Sequence, residues 1–181
     1  MEVWYNGFIV FSILISLALL LLALLILGWV LYFRIFHRGA VYFPSSDRTV
    51  KTMIDLANVS EKDTVVDLGS GDGRILVAAA QKGAKAIGYE INPFLVWQSR
   101  KHIEKLGFSH LVQVKFESFW KADFSKASVV ILYQFPSYMK RLQKLIQTKT
   151  SHPLIVISNR YEFPEKKWVK KSGKVYVYLF D

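Results

Sequence analysis

The sequence predicts an α/β fold: an open, mostly parallel sheet wound on both faces by helices, its last strand antiparallel, preceded by one N-terminal transmembrane helix. Three observations carry this. Phe8 to Phe33 runs 26 residues without a formal charge. From Thr64 onward, short apolar runs of strand type alternate with helical patterns, the signature of a parallel sheet. The closing KVYVYLF alternates and is rich in aromatics, which suits an antiparallel strand joined by a hairpin from the segment 166 to 171. The chain divides into an anchor (1–38), a connector and helix before the core (39–62), and the α/β domain (63–181).

About 20 helical residues cross a hydrocarbon core of roughly 30 Å, and a longer stretch accommodates by tilting. A cleaved signal peptide would carry a basic leader and a shorter apolar run, whereas MEVWYNG holds Glu2 and no Lys or Arg. Trp4 and Tyr5 at one end, with Trp29 and Tyr32 at the other, match interfacial aromatic belts. Arg34, His37 and Arg38 follow at once, so the positive-inside rule places the domain in the cytoplasm and the N-terminus outside, in a single-pass membrane protein.

All 24 Lys and Arg, but only 13 of the 14 acids, lie after residue 33, which gives that portion a net charge of +11. Such a domain is drawn to anionic lipid or to acidic partners. Basic charge alone also permits nucleic acid, which is not the expected partner. The absence of cysteine excludes disulfides, thiolate metal sites and a thiol nucleophile. The histidines at 37, 102, 110 and 152 have no metal-ligand spacing, so no metal is expected.

GAVYFPSS, residues 39 to 46, reads as an extended connector, because Pro44 holds its predecessor away from helix. Ser46 or Asp47 then caps a helix through about Val59, with Val50, Met53, Ile54 and Ala57 at helical spacing. Strand Thr64 to Leu68, helix Arg74 to Gln81 and strand Lys85 to Tyr89 follow. The next helix, Pro93 to Lys105, has Asn92 as N-cap, Pro93 at its first position and Gly107 as its stop. Then come strands at Leu111 to Phe116 and Ser128 to Tyr133, and a helix at Pro136 to Gln147 with Met139, Leu142, Leu145 and Ile146 on one face. The strands Leu154 to Ser158 and Lys174 to Phe180 close the fold.

Between the first strand and its helix lies GSGDG, with glycines at 69, 71 and 73. In a doubly wound sheet this turn is the usual ligand site, and glycines there permit close backbone approach and conformations closed to other residues. The dinucleotide pattern G-x-G-x-x-G fails, since the sixth position from Gly69 is Arg74. No G-x-x-x-x-G-K-[ST] loop is present either. Asp72 precedes a glycine as turn chemistry favours, and a salt bridge with it explains Arg74 at a helix start. Glu90 ends the second strand, where an acid accepts both hydroxyls of a ribose. A ribose without a pyrophosphate points to an adenosine carrying something other than phosphates.

VVDLGSGDGRI with the later GYEINP resembles the class I S-adenosylmethionine-dependent methyltransferases, whose signature is an acid, one residue, then G-x-G-x-G. More narrowly, the chain resembles the membrane-anchored protein-lysine methyltransferases of the ATP synthase c subunit and the adenine nucleotide translocase, and their prokaryotic relatives. The single anchor, the segment VYFPSSDRTVKTMIDLANV, DLGSGDGRI, the later FW and YQFP carry this likeness. It implies a Rossmann-like methyltransferase domain with S-adenosyl-L-methionine as cofactor, held by Asp67, Gly69, Ser70, Gly71, Gly73 and Glu90. Asp67 alternatively only caps the turn. Ser118 stands where the family often has an acid for the adenine amino group, so recognition there falls to backbone or to stacking on Phe119. YQFP differs from the N-P-P-Y type of motif; Tyr133 and Gln134 are expected to orient the acceptor, with packing alone as the alternative for Tyr133, and Tyr42, Phe43 and Pro44 either line its channel or only join the anchor to the domain.

A tether beside a bilayer makes sense for an acceptor that is itself embedded there. The expectation is lysine methylation of a membrane-associated protein. Methylation of a lipid, quinone or other small molecule, and a non-catalytic nucleotide-binding module, remain as alternatives.

Overall fold

The structure, a computed structural model, describes residues 2–36 and 42–181. It falls into two units, Met1–Gly39 and Ala40–Asp181. In the first, helix α1 spans Glu2–Phe36. Its stretch Phe11–Tyr32 has 22 residues, a mean hydropathy of 3.0 and no buried share, so by length and composition it is sufficient to cross a membrane. Leucine and isoleucine occupy all sides of it, so it has no single apolar face. Trp29 and Tyr32 are exposed. The side chains of Trp4, Tyr5 and Arg34, the whole of His37 and Arg38, and the connector's residues 39–41 lie outside the described residues.

In the second unit, residues 42–46 run without regular structure into α2, Asp47–Leu56. Ser46 is its cap, accepting the Thr49 N–H at 3.2 Å. The helix stops three residues short of the expected Val59. Asn58 takes a left-handed φ of 52°, and the N–H groups of Asn58 and Val59 return to Asp55 and Ile54 at 3.1 and 3.2 Å. This is a Schellman stop built on asparagine instead of glycine.

The sheet comprises β1 (Thr64–Leu68), β2 (Lys85–Glu90), β3 (Val112–Phe116), β4 (Val129–Leu132), β5 (Leu154–Asn159), β6 (Lys170–Ser172) and β7 (Val175–Phe180), in the order β3-β2-β1-β4-β5-β7-β6. The first five are parallel, and β7 is antiparallel to both β5 and β6. The hairpin strand β6 is short and starts at Lys170, later than the 166 to 171 segment suggested. Helices α3 (Arg74–Ala80), α4 (Pro93–Lys105) and α5 (Pro136–Lys149) complete the unit. Asn92 accepts from the N–H of Phe94, and α4 ends in a second Schellman stop at Gly107, φ 77°.

Two apolar layers sandwich the sheet. Val65, Ala86, Val129 and Ile157 pack with Met53, Leu76 and Val96 on one face. Val66, Leu68, Val130, Leu132 and Tyr178 pack with Met139, Leu142 and Ile146 on the other. Alternate residues of β1 thus face opposite layers, which is why the strand reads as a continuous apolar run rather than an alternation. On α5, Leu145 is only partly covered, while Gln143 is buried and accepts the Glu165 N–H at 3.1 Å. Strand order reverses between β1 and β4, which opens a crevice at their carboxyl ends.

Candidate functional site

Gly69, Gly71 and Gly73 all have positive φ, at 88°, 54° and 82°, which explains glycine at every second position of the turn. The turn is drawn toward β2 because the N–H groups of Gly69 and Ser70 both donate to the Tyr89 carbonyl, at 2.9 and 3.1 Å. Side chains of the protein itself crowd each glycine. A Cβ would meet Gln134 Nε2 at 2.6 Å from Gly69, Tyr42 Cε2 at 2.8 Å from Gly71, and Ser99 Oγ at 2.5 Å from Gly73. Gly88 on β2 is a further requirement that the sequence reading missed, since a Cβ there would lie 2.5 Å from Ser70 Oγ.

Glu90 fixes the same turn. Its Oε2 accepts the Gly71 N–H at 3.0 Å, and its Oε1 accepts those of Ile91 and Asn92 at 2.8 Å each. The carboxylate is therefore pre-oriented by backbone, with only about one of its four lone-pair positions left for a ligand.

Asp67 sits between Gly88 of β2 and Ile131 of β4. It is only 2 % exposed, and its Oδ2 has no hydrogen-bond partner. Burial above all, then the charges of Glu90 and Asp72, push its carboxyl up to about 8. The acid that caps the turn is Asp72, whose Oδ1 accepts the Arg74 N–H at 3.3 Å. Ser70 Oγ and Gln134 Oε1 are likewise buried and unpartnered, although Gln134 donates through Nε2 to the Leu68 carbonyl at 2.7 Å. Ser99 Oγ, on α4 against Gly73, is a fourth. Leaving such a group unsatisfied costs about 1–3 kcal/mol, so four around one turn mark a place shaped for polar contacts.

Arg74 grips Asp72 through Nε at 3.0 and 3.1 Å and Nη2 at 2.6 Å, while Nη1 donates to the Ser45 carbonyl at 2.5 Å. Burial opposes ionisation of Asp72, but hydrogen bonds from Arg74 and Tyr42 outweigh it and hold the carboxyl below its ordinary value. Tyr42 is shifted up, by burial and then by its bond to Asp72. Asn159, at the end of β5, donates to Ser45 Oγ at 3.1 Å. Residues 42–46 are therefore strapped across the carboxyl edge, with Tyr42 over Gly71, and Tyr42, Phe43 and Pro44 are all exposed.

Tyr133 is half-buried, and its hydroxyl accepts from Arg160 Nη1 at 3.4 Å. Arg160 has a left-handed φ of 77°, unusual for arginine and a mark of local constraint at a strand end. The sequence analysis does not single out Asn159 or Arg160, although both stand at the carboxyl end of a parallel strand, the position that carries the signal. Ser118 and Phe119 reach the edge through the Glu117 N–H, which donates to the Glu90 carbonyl at 3.0 Å. A single 3-10 turn, Phe119–Lys121, was not foreseen; it sets Phe119 against Trp120 with ring centroids 4.8 Å apart.

Apart from the strap of residues 42–46, this edge falls within the region that matches a described family. Residues 67–170, more than half the chain, match the ANTKMT methyltransferase domain. The chain belongs to this family. It is 39 % identical over 128 residues to the lysine N-methyltransferase of the ATP synthase c subunit from Xenopus laevis, covering 71 % of this chain and 55 % of that protein. It is 32 % identical over 123 residues to a protein-lysine N-methyltransferase of Saccharolobus islandicus, covering 67 % of this chain and 76 % of that protein. An RNA methyltransferase from Salinibacter ruber, solved with S-adenosyl-L-homocysteine, superposes with a TM-score of 0.72 at 34 % identity, over 76 % of this chain and 92 % of that one. The chain spans about half the length of the vertebrate relatives it matches.

Proposed function

We propose that this methyltransferase-family chain is a membrane-anchored, S-adenosylmethionine-dependent enzyme that methylates a lysine in a membrane-associated protein. One observation carries the reading: the left-handed glycine turn is bordered by four buried, unpartnered polar atoms, on Asp67, Ser70, Ser99 and Gln134. A polar nucleoside-amino acid fits this arrangement. Glu90 has acceptor capacity left for a ribose, Asp67 and Ser70 meet the polar tail, and Ser118 with Phe119 lies beside the base. The relatives' names support lysine as acceptor, and α1 supports a membrane location.

When bound, the sulfonium supplies an electrophilic methyl group; the remaining chemistry is alignment. Displacement is in line, so holding the acceptor at near-attack distance provides most of the rate. A lysine amine must first lose a proton from a pKa near 10.4, and desolvation together with nearby positive charge favours the neutral form. Tyr133 and Gln134 orient that amine, and the guanidinium of Arg160 beside Tyr133 adds to the positive field. Asp67 keeps a proton on its carboxyl below about pH 8 until a cation enters. No strong general base is required.

A second reading, with RNA as the methyl acceptor, has a specific support, since the Salinibacter ruber structure is named an RNA methyltransferase and this domain is strongly basic. Calorimetry of the full chain in detergent tests the cofactor: S-adenosylmethionine and S-adenosylhomocysteine should bind with one site, and NAD should not. Absence of binding by both sulfur ligands would overturn the reading.

A further inference from the structure

The exposed aromatic side chains of the α/β unit are unevenly placed. Tyr42, Phe43 (68 % exposed), Phe94 (57 %), Trp97 (59 %), Phe116 (61 %), Phe135 (43 %) and Tyr138 all belong to segments at the carboxyl edge of the sheet, and of the exposed aromatics in this unit only Trp168, among the described residues, lies elsewhere. Phe43 lies in the strap, Phe94 and Trp97 in the first turns of α4, Phe116 at the end of β3, and Phe135 immediately before α5. At the opposite edge, the loops 60–63, 81–84, 107–111, 125–128 and 150–153 carry lysines at 62, 82 and 126 and no exposed aromatic residue. Single exposed apolar residues need no explanation, but a ring of aromatics around one edge does.

We infer that this aromatic edge seats in the headgroup region of the bilayer, so that the glycine turn opens toward the membrane surface. Aromatic rings partition favourably to that interface, where an apolar body meets water. The chain itself commits the edge to a bilayer rather than to a second copy. The inference rests on the reading that α1 spans the membrane. Tyr42 follows Tyr32, the last residue of the apolar stretch, by ten positions, a reach of at most about 35 Å even when fully extended. The aromatic strap residue Phe43 comes next in sequence. The net +11 charge after residue 33 adds attraction of the whole domain to an anionic leaflet, and the aromatic residues select the edge. An embedded acceptor would then meet the site without leaving the interface.

The test uses the full chain labelled with 5-fluorotryptophan in nanodiscs of mixed zwitterionic and anionic lipid. The fluorine resonances are assigned by single Trp→Phe substitutions, and a lipid spin-labelled near the glycerol is added. Trp97 and Trp29 should both broaden severalfold more than Trp168, which is also exposed but precedes β6 away from this edge. Trp29 broadened with Trp97 no broader than Trp168 overturns the inference and leaves the anchor intact. If Trp29 is unaffected, the membrane span fails and the inference with it. A Trp97 resonance that responds to protein concentration instead of labelled lipid means that a second copy covers the edge, which also overturns it. As a second readout, Phe94→Ser combined with Trp97→Ser should leave S-adenosylhomocysteine affinity within twofold of wild type and Trp29 as broadened as before; loss of ligand binding would place these rings in the site instead.

Discussion

Glu90 accepts the backbone N–H of Gly71 at 3.0 Å, so the acid at the end of one strand holds the turn that follows its neighbour. It shapes the turn and, in the proposed site, presents the one acceptor position left to a ligand. Glu90→Ala should therefore lose both stability and ligand affinity, each by about 1–3 kcal/mol. Urea denaturation and calorimetry on the same variant check this, and weakened binding with unchanged stability would show that the backbone bonds contribute nothing net.

Gly71→Val should abolish binding of S-adenosylhomocysteine while the domain stays folded. A side chain at φ 54° carries a left-handed penalty of about 1–2 kcal/mol, and its Cβ collides with Tyr42 at 2.8 Å. Thermal unfolding should show a lowered but cooperative transition. Affinity within twofold of wild type would remove the turn from the site.

The buried Asp67 gives a pH signature. Its carboxyl titrates near 8 in the fold against an ordinary 3.8, so between these values the native state holds a proton that the unfolded chain has released. Stability of the ligand-free protein should fall as pH rises through that window, by at most about 1.4 kcal/mol per unit, and level off above it. Asp67→Asn should flatten the profile, and denaturant midpoints from pH 5 to 8.5 measure it. An unchanged slope in the variant would assign the pH dependence elsewhere.

Tyr133→Phe should leave cofactor affinity within twofold and slow methyl transfer by about tenfold, which corresponds to one hydrogen bond of about 1.4 kcal/mol. Single-turnover rates at saturating cofactor separate the two effects. Equal rates would reduce Tyr133 to packing against Tyr161.

The local parts of this fold were legible because their chemistry is local. The boundaries of α4 follow from Asn92, Pro93 and Gly107, and β1 from a β-branched run halted by glycine. The early end of α2 was missed because Asn58 served where glycine is the usual signal. What pattern could not supply were contacts between distant positions: Tyr42 over Gly71, Ser45 bonded to Asn159 over 114 residues, and Ser70 demanding a glycine at 88. The unpartnered atoms of Asp67, Ser70 and Gln134 are also invisible in sequence, since burial without a partner is defined only by packing.

The most direct measurement of the central claim is to incubate the full chain with host membranes and S-adenosylmethionine carrying a radiolabelled methyl group, using Gly71→Val as the inactive control. Protein, lipid and RNA fractions are then separated, and labelled protein is hydrolysed to amino acids. The account predicts label in a membrane-protein band, recovered as methylated lysine and absent with the variant. Label confined to lipid extract or to RNA, or equal label with the variant, would contradict it.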